Sequence, residues 1–241
     1  MKRNREIPNP TTTAIKELIL TRGLRPGDPM PTEAELMETL GVSRSNVREA
    51  VRTLVALDIL EVRHGTGTFV GQLSLRPLVE GMVFRGVLSP GPDHTSLREV
   101  IEVRTGLDLS LAPRIVERLA GQESADLRSC VDEMTTLAAR NEPFGEPDRR
   151  FHLLLAQRLG NGLYGQLVAA FFDIHGAVAP SLGVAAQQDL DRTAAAHARL
   201  LDAAIAGDLD RYRAAVLDHY EPLLRVLDTT ETALLDPAKG A

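Results

Sequence analysis

Apolar positions recur at helical spacing along most of the chain and give way in one place to two short alternating runs. Ile15, Leu18 and Ile19 share one face of a helix predicted from Thr11 or Thr12 to Thr21, which Gly23 and Arg25-Pro26-Gly27-Asp28 end. Thr32-Glu33-Ala34-Glu35 reads as a capping box opening a short second helix that stops near Leu40. After the turn Gly41-Val42-Ser43, Ser43 is a good N-cap for a third helix running to about Leu57. Leu60-Glu61-Val62 and Thr68-Phe69-Val70 then read as strands joined by Arg63-His64-Gly65-Thr66-Gly67.

Beyond Gly71 the strand pattern disappears. Ala-, Leu- and Arg-rich segments at about 76–85, 96–119, 123–139, 148–159, 162–178, 189–206 and 209–227 are separated by Gly, Pro, Asn or Asp. Ser96-Leu97-Arg98-Glu99 is a second predicted capping box. The fold class is therefore mainly α: an N-terminal winged helix-turn-helix with a small β-hairpin wing, then an all-helical bundle of six or seven helices. The expected division is an N-terminal arm at 1–10, the winged domain at 11–71, a linker and connecting helix at 72–95, the bundle at 96–228 and a tail at 229–241. With no glycine-rich phosphate loop and no alternating strands, a nucleotide-binding unit is not expected.

Composition narrows the chemistry. The single cysteine, Cys130, excludes an internal disulfide and thiolate-held structural zinc, so any metal must be bound by His and carboxylate. No apolar run is long enough to span a bilayer, and Met1-Lys2-Arg3-Asn4-Arg5-Glu6 leads into polar sequence, so a cytoplasmic chain without membrane contact is expected. A net charge of −6 argues at first against nucleic acid, but it is unevenly spread: residues 1–72 carry +1 and residues 73–241 carry −7. In the third helix Val47, Ala50, Val51 and Leu54 cluster on one side while Arg44, Ser45, Arg48, Glu49 and Arg52 occupy the other. Arginines one turn apart at the start of such a helix are placed to meet base edges and phosphates in a major groove, although a solvated face has the same pattern. The basic, glycine-bearing hairpin tip that follows, with His64 and Gly65, allows close backbone approach to DNA.

The bundle carries a second constellation. Asp148 and His152 lie four residues apart on one helix face, next to the apolar stripe of Phe151 and Leu155. His197 stands ten residues before Gly207 and His219 twelve after it, so an antiparallel helix pair sets both rings at nearly the same level. Three imidazoles and a carboxylate suit a divalent transition metal of the Zn, Ni or Mn type better than Ca²⁺ or Mg²⁺; locally hydrogen-bonded core histidines are the alternative. His94 falls in a predicted loop and His175 is expected to line the bundle. A metal-dependent hydrolase using the same cluster is a competing reading, disfavoured by the lack of His-Asp, His-Glu-x-x-His or a spare general base.

Residues 11–71 resemble the winged helix-turn-helix of the GntR family of bacterial transcription regulators, through Pro31-Thr32-Glu33-Ala34-Glu35-Leu36, Leu40-Gly41-Val42-Ser43-Arg44, Val47-Arg48-Glu49-Ala50 and Gly65-Thr66-Gly67-Thr68-Phe69-Val70. The resemblance implies DNA contacts at Arg44, Ser45, Asn46, Arg48, His64 and Gly65, with Ala34 standing where similar members usually carry a base-reading Arg. From about Ser96 to Leu227 the chain is similar to the FCD ligand-sensing domain of the FadR-type subfamily, through Glu102-Val103-Arg104, Asp148-Arg149-Arg150-Phe151-His152, Asn161, His197, Ala204-Ile205-Ala206-Gly207-Asp208 and His219. That similarity implies metal ligation by Asp148, His152, His197 and His219, and contact of Arg104 with an effector carboxylate, with Asp108 replacing the usual Glu. It also implies a homodimer on a palindromic double-stranded DNA operator, released by a small organic acid in the manner of a repressor.

Overall fold

The computed structural model describes residues 9–88, 95–178 and 187–235, in two compact units, Met1–Leu78 and Val79–Ala241. Among the described residues no helix is long and apolar enough to cross a membrane.

The first unit holds α1 (Pro10–Thr21), α2 (Glu33–Leu40), α3 (Arg44–Ala56), β1 (Leu60–Arg63) and β2 (Gly67–Val70). α1 starts slightly before its predicted beginning because Asn9 accepts from the Thr11 N–H and Pro10, which has no N–H to satisfy, takes the first helical position. The capping box at α2 is formed from both sides, Thr32 accepting from the Glu35 N–H and the Glu35 carboxylate from the Thr32 N–H. Gly41 then ends the helix at φ +65°. β1 and β2 pair antiparallel from Leu60↔Val70 to Arg63↔Gly67, each one residue longer than its alternating run. The sequence also concealed a contact: the segment after α1, read only as a helix terminator, is stitched to β2 by Met30 N–H to Thr68 O and Val70 N–H to Asp28 O, with a Pro29↔Phe69 bridge. Ile15, Leu36, Val47, Ala50, Leu54, Leu60 and Val70 form the core that fixes α3 against the hairpin.

Gly71 closes this unit, its N–H donating to the Ile59 carbonyl. A Cβ there would lie 2.3 Å from the Asp58 carbonyl oxygen, a backbone atom that cannot swing aside. Gly71→Ala should therefore cost about 1–3 kcal/mol or more. A lowered thermal midpoint of DNA-free protein is the expected readout, and an unchanged one would show that the hairpin relaxes freely.

α4 (Arg76–Leu88) crosses the boundary between the units. The second unit continues with α5 (Thr95–Leu119), α6 (Ala125–Ala139), α7 (Gly145–Arg158), α8 (Gly162–Val178), α9 (Gln187–Ala206) and α10 (Leu209–Leu235). Three boundaries correct the sequence expectation. α5 begins at Thr95, one residue before its predicted start, and Glu99 pairs with Arg85 at 2.7 Å. α7 begins at Gly145, with Pro147 tolerated in its first turn, which puts Asp148 near the positive end of the helix dipole. α10 passes Leu227 and continues to Leu235, taking in Pro222 and the first part of the expected tail. The bundle core, from Ala112, Leu127, Met134, Phe151, Val168, Leu200, Leu201 and Leu227, packs α5 to α10 around one centre. Gly207, at φ +72°, makes the tight α9–α10 connection, and Asp208 accepts from the Arg211 N–H to start α10.

Candidate nucleic-acid interface and metal centre

Arg44, Ser45, Asn46 and Arg48 are all exposed in the first turns of α3, beside backbone N–H groups that helix geometry leaves free to meet anions. Ser43 caps the helix through Asn46 N–H and its hydroxyl lies 2.9 Å from that of Ser45. His64 and Gly65 are exposed at the hairpin tip, where Gly65 has φ +75°. Sequence reasoning passed over Glu33. Its carboxylate accepts from the Arg48 Nε at 3.0 Å to each oxygen, an exposed pair joining α2 to α3 that leaves the two terminal nitrogens of Arg48 outside this contact. Arg63 is likewise held, over the Phe69 ring at 4.2 Å and 3.0 Å from Glu61.

In the bundle, α7, α9 and α10 bring Asp148, His152, His197 and His219 together, with one ligand atom of each within 4.8 Å of all the others. The three imidazoles are buried, and Phe151 packs its ring edge-on against His152 and His197 at 5.5 and 5.1 Å. The level placement of His197 and His219 follows from the antiparallel α9–α10 pair, their centroids lying 4.5 Å apart. His197 Nδ1 is 2.8 Å from the Thr193 carbonyl oxygen, which only accepts, so that nitrogen bears the proton and Nε2 turns its lone pair inward. This Nε2 lies 3.0 Å from Asp148 Oδ1 and 3.3 Å from His152 Nε2, while His152 Nε2 is 3.3 Å from the same oxygen. Three electron-pair donors this close repel one another unless a cation lies among them. A proton satisfies one pair; a divalent ion satisfies all. Ligands about 2.0–2.1 Å from a tetrahedral ion stand about 3.3 Å from each other, the spacing of the Asp148, His152 and His197 donors, and the fourth, from His219, lies within 4.8 Å of them.

The electrostatics favour an ionised Asp148 beside His152 and His219 rings whose burial resists protonation. Burial lowers the His152 pKa and pushes that of His219 well below its ordinary range, Arg104 reinforcing the first and His197 the second. Burial alone would raise the Asp148 carboxyl, but the adjoining His197 and His152 rings hold it well below the usual range. His219 Nδ1 is buried without a hydrogen-bond partner.

Arg104, on α5, is 8% exposed and lies over the Phe172 ring at 4.4 Å and the Tyr220 ring at 5.5 Å. Its Nε and Nη2 are buried with no hydrogen-bond partner. Asp108, one turn on, comes only to 4.0 Å, because its two oxygens accept from the hydroxyls of Tyr164 and Tyr220, each at 2.6 Å. A cavity of about 10 Å³ is lined by Asp108, Tyr164, Tyr212, His152 and His219 among others. The tyrosines and Phe172 were missed from sequence; of these only Tyr220, adjacent to His219, carried a positional signal. His175 is half-buried on α8, burial lowering its pKa, and His94 lies outside the described residues.

Comparison with known proteins follows the same two units. Residues 11–70 match the bacterial regulatory proteins of the gntR family, and residues 99–222 match the FCD domain. The galactonate operon transcriptional repressor of Escherichia coli is 29% identical over 192 residues, covering 80% of this chain and 84% of that protein. The HTH-type transcriptional regulator LutR of Bacillus subtilis is 28% identical over 145 residues, 60% of this chain and 64% of its own. Among solved structures, the Streptococcus agalactiae GntR protein is 26% identical, with a TM-score of 0.55 over 90% of this chain and 98% of that one.

Proposed function

Because the chain belongs to the GntR family of bacterial regulatory proteins and carries an FCD domain, it is a transcription regulator, and we propose that it is a metal-containing repressor that leaves DNA on binding a small carboxylate. In this reading a homodimer places two winged units on a palindromic operator. Arg44, Ser45, Asn46 and Arg48 enter the major groove, and His64 and Gly65 approach the backbone beside it. Asp148, His152, His197 and His219 hold a Zn, Ni or Mn type ion, and Arg104 takes the effector carboxylate.

The observation that carries the sensing half of this reading is the buried guanidinium with two N–H groups unpartnered, next to converging imidazoles. Leaving a charged donor buried and unpaired is costly, so an anion arriving there recovers interaction that the empty site lacks. A divalent ion held by these four residues would add Lewis-acid attraction for the same anion. His197 keeps its tautomer through Thr193, Phe151 keeps the rings apart from water, and Arg104 orients the carboxylate. Effector and DNA are linked only to the extent that the effector binds the DNA-competent and released arrangements unequally. The matched families and the relatives named above are regulators, which supports sensing over metal-dependent hydrolysis.

The DNA half is tested by selecting binding sites from random duplexes with the full chain. Inverted repeats are expected. Arg48→Ala should weaken the selected site by about 1–3 kcal/mol and flatten the dependence of log affinity on log salt by about one contact. Unchanged affinity and slope would remove Arg48 from the interface.

A further inference from the structure

The effector site has a charge balance that the metal and Arg104 alone do not determine. Asp108 is a second buried carboxylate, its side chain 10% exposed, within one helical turn of Arg104. A free aspartate at this spacing would close on the guanidinium and neutralise it. Here it is prevented from doing so: Tyr164 of α8 and Tyr220 of α10 each donate a 2.6 Å hydrogen bond, one to each oxygen, and the carboxylate stays 4.0 Å from Arg104 Nε. A carboxylate oxygen only accepts, so both hydroxyls are the donors in these bonds. Arg104 is thereby kept available, while the negative charge of Asp108 is retained in the site.

We propose that Asp108, held off Arg104 by Tyr164 and Tyr220, makes this site selective for carboxylates bearing a single negative charge. The argument rests on the preceding assignment of a divalent ion and an effector carboxylate to the site. Imidazoles that ligate a metal ion do so in their neutral form. A divalent ion and Arg104, set against Asp148 and Asp108, leave one positive charge, and one carboxylate cancels it. A second carboxylate would be an uncompensated buried anion facing Asp108, the arrangement that low-dielectric surroundings penalise most. Without the Asp108 charge the same site would balance a dianion.

Isothermal titration of the Zn²⁺-loaded full chain with L-lactate and with malonate, which have equal numbers of carbons but differ by one charge, tests this directly. Wild-type protein should bind lactate about tenfold more tightly than malonate or better, and Asp108→Asn should erase or reverse that preference by a similar factor. Tyr164→Phe with Tyr220→Phe keeps the charge but frees Asp108 to close on Arg104, so both anions should weaken by about tenfold while lactate stays preferred. That double variant also decides the matter if Asp108→Asn fails to fold, since unchanged affinities in it would overturn the proposal. A wild-type preference for malonate, or a lactate-to-malonate ratio insensitive to Asp108 in folded protein, would overturn it as well, leaving the carboxylate-receptor assignment standing. If neither anion binds wild-type protein, that assignment falls and the charge selection with it.

Discussion

Arg104→Met should abolish the effector response while sparing operator affinity and metal content. Truncating one partner of a buried, hydrogen-bonded charge pair costs about 2–5 kcal/mol, which is about thirtyfold to several thousandfold in effector affinity. The effect on the ligand-free protein has the opposite sign. Nε and Nη2 of Arg104 have no hydrogen-bond partner in the buried site, and the aromatic rings of Phe172 and Tyr220 that face the guanidinium also suit an unbranched thioether. Asp108 keeps its two tyrosine donors in the variant. The melting temperature without ligand should therefore hold or rise, whereas the ligand-induced increase should vanish. Thermal melts with and without a binding carboxylate, together with operator release, measure both. A variant that still releases DNA at wild-type effector concentrations would place the carboxylate elsewhere.

Removing the ion should have a comparable effect on the fold itself. His197→Ala with His219→Ala takes away two of four donors, and elemental analysis should find the metal gone. For a site held at about a thousand times its dissociation constant, the lost stabilisation is about 4 kcal/mol. The pH dependence has a definite sign. His152 and His219 have folded pKa values below their ordinary 6.5, so the unfolded chain takes up more protons as pH falls through that value. Their contribution to stability is complete above about pH 6.5 and is lost as pH falls toward their folded values. Arg104 and His197 strengthen the depression and Asp148 opposes it. Asp148, itself depressed, adds stability that is present above its ordinary 3.8 and lost only in stronger acid. Melting temperature and metal content of the wild-type protein should thus fall together below about pH 6.5, and the double variant should give a flatter curve. Parallel curves would show that the imidazoles are not the titrating groups.

Much of this is legible in the sequence because the local signals are chemically complete. Thr32 and Glu35 specified a helix start by themselves, and the α9–α10 connection at Gly207 set the levels of His197 and His219 by counting residues. What failed depended on partners far away in the chain. Glu99 fits a capping pattern in sequence, but the partner the fold gives its carboxylate is Arg85, fourteen residues earlier. Glu33 was read as part of the second helix's start, while its function in the fold is to grip Arg48, fifteen residues on. The tyrosines around Asp108 come from positions 56 and 112 residues away, a meeting that periodicity cannot foresee because it reports which face is buried and not what lies across from it.

The cavity lined by Asp108, His152 and His219, at about 10 Å³, has a kinetic consequence. That volume admits about one water molecule. A carboxylate effector bound against this cavity, as proposed above, should reach it only after α5, α8 or α10 has shifted, so encounter would be followed or preceded by an opening step. Association is then gated, its observed rate levelling off at high effector concentration at the rate of opening, well below the diffusional limit. On that reading the regulator's response time would follow how often its bundle opens, and its sensitivity how tightly it closes.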